Sequence, residues 1–473
     1  MPNVRKRPKI CIILIIISIC ILFPNTIGFK PAAWAKSRSI SFIRDAEIEH
    51  TIRTYATPIF QAAGLNADRI RIYIINEDSI NAFVTGGDRM FLHTGLLLAD
   101  ESPLGLVGVL AHETGHIAGG HLVRTGDEMR KASALQVASL ILGVGAGALT
   151  KNVEAAATII WGGSAMAEKK FLAYSRTQES AADQAALSLL TNIGVSAEGL
   201  RTILGILQSQ ELLSPSAQDP YLRTHPMTRE RMAIVDAHIK AFERTHHHRN
   251  TDLGLARPGY PDKWASMHER MLAKLRGFLW RPGKVYRKYP EQDTSEAANY
   301  ARAIATYRSG DYETAETAVQ KLRDEAPNDP FFHELLGQMA FEVGRFSESI
   351  NHYKQATDLR PDAPLILSAL GKALVTLNQP EATIQAENIL KKSVEIDPEQ
   401  SLAWHNLAII FARQNKPGAA ALAASERFFR SNQISRADTH IKRALDLLPK
   451  GSPNYQKALD LANSIALSSK SKR

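Results

Sequence analysis

The stretch AHETGHIAGGH, Ala111 to His121, places three histidines and one glutamate within eleven residues. His112, Glu113 and His116 match H-E-x-x-H. On an α-helix each residue advances about 100°, so His116 lies only about 40° around from His112 and one turn along. Two imidazoles so placed reach a single metal ion, and Zn2+, one per chain, is the expectation. Glu113 falls about 100° away, beside the metal rather than on it. A carboxylate there suits a general base that takes a proton from water attacking a peptide carbonyl. His121 fits less well. A continuing helix turns it about 180° from His112, and Leu122 stands where the longer motif H-E-x-x-H-x-x-G-x-x-H has its last histidine. Unless Gly119 and Gly120 break the helix, His121 is a structural residue.

A catalytic zinc needs a third protein ligand. The segment SRTQESAADQAALSLL, Ser175 to Leu190, offers Glu179 and Asp183 four residues apart on one helix face. One carboxylate can bind metal while the other accepts the far N–H of a ligand histidine and fixes its tautomer. Ala181, Ala182, Ala185 and Ala186 point to a helix packed close to another. Glu179 is the expected ligand and Asp183 its support.

The elements that must position these groups begin after an export signal. Arg5, Lys6, Arg7 and Lys9 precede an apolar run from Ile10 to Phe23, and Ala33 and Ala35 make an A-x-A site. This pattern is a secretory signal peptide over residues 1–35. The run is short of the about 20 apolar residues a membrane span needs, a retained anchor being the alternative. Removal takes five positive charges and no negative one from a chain of net charge +9, leaving +4. It also takes both cysteines, Cys11 and Cys20. An exported chain without a disulfide framework relies on its own core, and the expected address is a bacterial periplasm. No basic block interleaved with aromatics suggests a nucleic-acid surface.

From Arg69 to Leu97, alternating Ile70, Ile72 and Ile74, the turn residues Thr85 to Asp88 and the strand RMFLHTG read as a small hairpin unit. Ser102 and Pro103 then read as N-cap and first residue of the helix bearing His112. The apolar stretch Ala134 to Thr150 reads first as a helix packed on the catalytic core, the alternatives being a helix that touches a membrane surface or gates substrate and a true membrane span. Residues 245–294, rich in Pro, Gly and charge and including His246 to His248, read as a solvated linker.

Beyond residue 295 the chain repeats. Ala303, Gly337 and Gly371 are 34 apart, as are Gly310, Gly344 and Asn378, with Ala408 and Asn415 each 37 further on. Small residues, turn residues and closing prolines at this period are tetratricopeptide spacing, in which helical hairpins stack into a solenoid. Pro398 to Pro449 spans 51 residues, which reads as an insertion near Ala424 to Ser435 with a capping helix after it. The fold class is therefore mostly α. A metallopeptidase domain of α+β type, residues 36–244, carries a small hairpin or sheet. A repeat solenoid follows over residues 295–470.

In order along the chain, INAFVTGGDRMFLHTGLL, LAHETGHIAGGH, SRTQESAAD and THPMTRER follow the pattern of the HtpX- and BepA-like zinc metallopeptidases. The tetratricopeptide tail makes the chain most similar to the BepA-like periplasmic branch, and the resemblance covers nearly the whole mature chain. It implies a gluzincin-like domain with zinc on His112, His116 and Glu179, Glu113 as base and Asp183 in support. It also implies that His225, in the THP segment, occupies the metal's open position and holds the protease latent. Arg231 matches the arginine that follows this loop, placed to bind either a tetrahedral oxyanion or a nearby carboxylate. Asn81 to Phe83 and Arg89 to Leu92 read as the edge on which an extended substrate lies, although Asn81 equally suits holding a turn.

Two functions are consistent with these residues. One is a periplasmic endopeptidase for misfolded or stalled outer-membrane proteins, whose repeats bind clients or the β-barrel assembly machinery, as the resemblance implies. The other is a chaperone or assembly adaptor whose protease site is normally closed. A complete ligand and base set argues against a dead scaffold.

Overall fold

A computed structural model describes residues 41–86, 88–121, 175–211, 213, 214, 217–226, 228–253 and 260–470. The expected leader with Cys11 and Cys20, and the apolar stretch Ala134 to Thr150, lie outside the described residues. Among the described residues, no helix is long and apolar enough to cross a membrane.

Four short strands form one sheet: β1 (Phe42–Ile43), β2 (Arg71–Ile75), β3 (Ala82–Thr85) and β4 (Arg89–His93), in the order β1-β2-β4-β3. The turn before Arg89 joins β3 and β4 as an antiparallel hairpin, with Val84 opposite Met90 and Ala82 opposite Leu92. Asp88 in that turn has φ 56°, a left-handed conformation that aspartate tolerates. The alternating stretch read as the first arm of the hairpin unit does not pair with β3. It is β2, and it runs parallel to β4 on the far side, Tyr73 opposite Phe91. Outward side chains pin this register: Phe91 stacks on Tyr73 at 5.0 Å and on Phe83 at 4.9 Å. Ile74, Met90 and Leu92 point inward and are buried.

The inner face receives α1 (Ala46–Ala62), α2 (Thr94–Leu97) and α3 (Pro103–Ala118). Ser102 caps α3 by accepting from Leu104 N–H at 3.2 Å, with Pro103 at the first helical position. From Pro103 to His116 every residue of α3 is buried. A helix apolar on all sides belongs in the middle of a domain, so α3 is the central helix. Around it stand α4 (residues 175–192), α5 (Glu198–Gln208), the five-residue α6 (Pro220–Thr224) and α7 (Arg229–Leu253).

The stretch read as a solvated linker is built differently. Residues 245–253 complete α7, and two further helices follow, α8 (Asp262–Leu279) and α9 (Pro282–Lys288). Pro261 and Pro282 mark helix starts rather than loops: one is the N-cap of α8, the other opens α9. Trp264, Met271 and Leu275 of α8 enter the core of the first domain, while Ala273 and Val285 join the first core of the repeats. Over residues 262–288 the chain is a packed junction.

The repeats are five helical hairpins: α10 (Glu296–Arg308) with α11 (Tyr312–Glu325), α12 (Pro330–Glu342) with α13 (Phe346–Leu359), and α14 (Pro364–Leu377) with α15 (Pro380–Ile396). Then come α16 (Ser401–Arg413) with α17 (Pro417–Arg430), and α18 (Ile434–Leu447) with α19 (Pro453–Lys470). The 37-residue interval has a local cause, since α15 has 17 residues where α13 has 14. No insertion occupies Ala424 to Ser435. α17 runs through to Arg430, and a short turn with Asn432 at φ 57° leads directly into α18. Pro449 lies in the turn inside the last hairpin, so the 51-residue spacing spans three helices rather than one interrupted repeat.

Buried charges join the two domains. Lys274 Nζ on α8 lies 2.9 Å from Asp45 and 3.3 Å from Glu47 at the start of α1, and 3.8 Å from Glu334 on α12. Arg270 binds Glu47 at 2.7 Å and also pairs with Asp329. At the surface, the exposed Arg44 reaches Asp397 at 2.7 Å.

Candidate metal centre

α3 and α4 approach closely at Gly115, where an added Cβ would stand 2.8 Å from the carbonyl oxygen of Ala182. That approach brings Glu179 and Asp183 of α4 against the histidines of α3. His112 Nε2 and His116 Nε2 are 3.1 Å apart. Glu179 closes the triangle, Oε2 at 3.3 Å from His112 Nε2 and Oε1 at 3.3 Å from His116 Nε2. His225, the residue that ends α6, adds a fourth corner: its Nδ1 lies 3.0 Å from Glu179 Oε2 and 3.3 Å from His112 Nε2. All four residues are buried, and the donor atoms lie within 4.8 Å of one another.

This donor set fits a small divalent cation. Asp183 Oδ1 is 2.9 Å from His112 Nδ1, and a carboxylate only accepts, so the proton sits on Nδ1. Nε2 then presents a lone pair toward another imidazole and a carboxylate oxygen. Acceptors facing one another call for a positive charge between them. Neighbouring donors stand 3.0–3.3 Å apart, close enough for one small cation to touch them together. The field has the matching sign. Without a metal the same field favours a second proton on His112, at the nitrogen a cation would take: burial opposes charge there, yet Asp183 and Glu179 push its pKa up from 6.5 to about 10. Burial likewise opposes ionisation of Asp183, and hydrogen bonds from His112 and Arg231 still bring it down to about 2.

Glu113 is fully buried beside the cluster, with Oε1 3.5 Å from His225 Nε2. Among the described residues neither of its carboxylate oxygens has a hydrogen-bond partner. A buried unpaired carboxylate is costly, and its place next to the ligands is where an attacking water would stand.

Arg231 lies against carboxylates, the second of the two roles read for it. Its Nε donates to Asp183 Oδ2 at 2.6 Å and its Nη2 to Asp183 Oδ1 at 2.9 Å. Nη1 donates to the carbonyls of Pro226 and His225, at 3.0 and 3.3 Å, and sits 3.3 Å from Glu179. One guanidinium thus ties the ligand helix α4 to the loop that carries His225. Asn81 is buried and meets His93, with Nδ2 3.4 Å from Nε2.

Two contacts escaped the sequence reading. The helix does break at the glycines: α3 ends at Ala118, and Gly120 takes φ +61°. His121 folds back so that its Nδ1 lies 3.0 Å from His116 Nδ1, the nitrogen turned away from the ligand cluster. It braces His116, and the double glycine was its signal. Tyr221 stacks on His225 with ring centroids 4.2 Å apart. The four-residue spacing within one short helix was the clue there.

Residues 43–239 match peptidase family M48, and residues 327–378 match a TPR repeat. Residues 43–239 are thus similar to an M48 peptidase domain. All the site residues above fall within it, and the protein is a metallopeptidase followed by tetratricopeptide-like helical repeats. The chain is 23% identical over 418 residues to the β-barrel assembly-enhancing protease of Escherichia coli strain K12, covering 88% of this chain and 82% of that one. The protease of the same name from Yersinia pestis is 24% identical over 410 residues, covering 84% and 79%. A mitochondrial metalloendopeptidase of Schizosaccharomyces pombe is 24% identical over 178 residues, covering 38% and 49%.

Proposed function

We propose that this M48 peptidase is a periplasmic zinc endopeptidase that cuts misfolded or stalled outer-membrane proteins and is held latent by His225. The observation that supports it most is the convergence of His112, His116, Glu179 and His225 on one point beside a buried, unpartnered Glu113. His112, His116 and Glu179 are the three resident ligands. A zinc ion held by them would supply a more acidic water and a polarised scissile carbonyl. Glu113 takes the proton of the attacking water and passes it to the leaving amine. Asp183 keeps the proton of His112 on Nδ1, and Arg231 keeps Asp183 ionised and aimed. His225 fills the corner that a hydrolytic site must keep open, so its loop must move before substrate is cut.

A second reading has its own support. The second to fourth hairpins and residues Arg44–Ala46 of the peptidase domain line a cavity of about 590 Å³ that includes Glu334, Phe341, Phe346, Leu365 and Lys372. A mixed apolar and charged groove of this kind suits a peptide segment of a client or of the β-barrel assembly machinery. The protein then acts as a chaperone or adaptor for most of its time and as a protease when His225 withdraws.

The test is cleavage of an unfolded outer-membrane protein by the zinc-loaded chain, beside Glu113→Gln and His225→Ala. Chelator-sensitive cutting that vanishes in Glu113→Gln and rises in His225→Ala supports a self-restrained protease. Zinc binding without cutting in any variant gives the adaptor reading the lead.

A further inference from the structure

β3 ends the sheet order, so among the described residues one of its edges has no partner strand. α3, with the ligand histidines, packs against this strand. The pairing with β4 decides which groups face the free edge. His93 N–H donates to Asn81 O at 3.0 Å, so Asn81, Phe83 and Thr85 are bonded to β4. By alternation, the backbone groups of Ile80, Ala82 and Val84 point outward. These are the groups that an added substrate strand would use.

One of those positions is already taken. Ile80 N–H donates to Asp219 Oδ1 at 2.9 Å. Asp219 is the N-cap residue of α6, yet its carboxylate makes no bond to the helix it precedes. An aspartate there would ordinarily accept from the second or third helical N–H. Instead Oδ2 accepts from Gln210 Nε2 at 2.7 Å, and the Asp219 N–H donates to Gln210 Oε1 at 2.9 Å. Gln210 thus holds the carboxylate turned toward the sheet edge. The other end of α6 is His225, whose N–H donates to Tyr221 O at 2.7 Å and whose ring lies on Tyr221. Six residues of helical rise separate the two ends by about 9 Å, too short a rod for one end to move freely of the other.

We propose that Asp219 is a positioning residue that links the substrate edge to His225: an extended peptide pairing along β3 as far as Ile80 displaces the Asp219 carboxylate, and α6, losing its anchor, carries His225 off the ligands. This rests on the reading of His225 as the restraint on an M48 peptidase site. It adds the trigger, which is the client strand itself. It also sets a length requirement, because a segment that does not reach Ile80 binds without opening the site. Pairing from Thr85 to Ile80 takes about six residues, or roughly 20 Å.

The test uses the full chain and two alternating Thr/Val peptides, one of about four residues (roughly 13 Å) and one of about ten (roughly 33 Å). Hydrogen exchange is followed at residues 219–226 in the Glu113→Gln background, where nothing is cut. The long peptide should speed exchange there and the short one should not. Asp219→Ala should exchange fast without any peptide and gain nothing from the long one. Asp219→Asn, which keeps an oxygen for Ile80 N–H, should still respond, and this separates loss of the latch from general loosening. With Glu113 intact, Asp219→Ala should cut the short peptide about tenfold faster, the worth of one hydrogen bond to a charged acceptor. Exchange that responds while no variant cuts supports the latch and overturns the peptidase reading. Cutting of both peptides with exchange at 219–226 indifferent to peptide and to Asp219→Ala overturns the latch and leaves the peptidase standing.

Discussion

Asp183 stands on one side 2.9 Å from His112 Nδ1 and on the other accepts two N–H groups of the Arg231 guanidinium. One carboxylate therefore faces a candidate ligand and is itself fixed by a buried cation. Asp183→Ala is expected to weaken metal binding about 10–100-fold, the usual cost of losing such a support. Competition with a chromophoric chelator measures it. Unchanged affinity would show that α3 alone orients His112.

His121 stands in the same relation to His116, its Nδ1 3.0 Å from the nitrogen that faces away from the cluster. His121→Ala should lower metal affinity by about tenfold while His112, Glu113 and Glu179 keep their places. The titration used for Asp183→Ala applies, and Asp183→Ala with His121→Ala should lose more than either alone.

The domain junction offers a stability test. Lys274 is buried with Asp45, Glu47 and Glu334 around its ammonium. Lys274→Met leaves Asp45 and Glu334 without the cation between them, while Glu47 keeps Arg270. The expected loss is about 3–5 kcal/mol, read as a lower denaturant midpoint. A midpoint unchanged within error would mean that the carboxyl groups simply take up protons.

Acid should loosen the same junction. His50 of α1 lies beside Phe331 of α12, ring centroids 5.9 Å apart. Burial, and then the charge of Arg360, push its pKa down from 6.5 to about 4. A depressed folded-state value means that the unfolded chain binds the proton first as pH falls. The stability His50 contributes is thus present above about 6.5 and is lost on acidification toward 4. His50→Gln should flatten the slope of melting temperature against pH across that window. An unaltered slope would place the acid sensitivity elsewhere.

How much was legible varies with the range of the interaction. The ligand pair on α3, the i and i+4 carboxylates on α4 and the 34-residue period are local patterns, written at helical spacing. The cap at Ser102 and Pro103 is of the same kind. The linker was misjudged because its prolines and charges are the same residues that start α8 and α9 and pair across the junction: Arg270 and Lys274 look solvated until Glu47 and Glu334 are brought to them. The strand order failed for a related reason. Alternation tells which face of β2 is buried but not which neighbour it pairs with, so its place beyond β4 was invisible.

The sequence by itself determined the chemistry on offer: which side chains could hold a metal, which could carry a proton, and that a repeat solenoid follows. Those follow from residue type and short spacing, which the helix geometry converts directly into direction. Only the tertiary structure decided that His225 reaches the ligands across 113 residues of chain, that Arg231 is engaged by Asp183, and that Asp219 faces the edge of the sheet. Such contacts depend on how separate elements pack, and packing is settled by the whole core at once rather than by any stretch of residues within it.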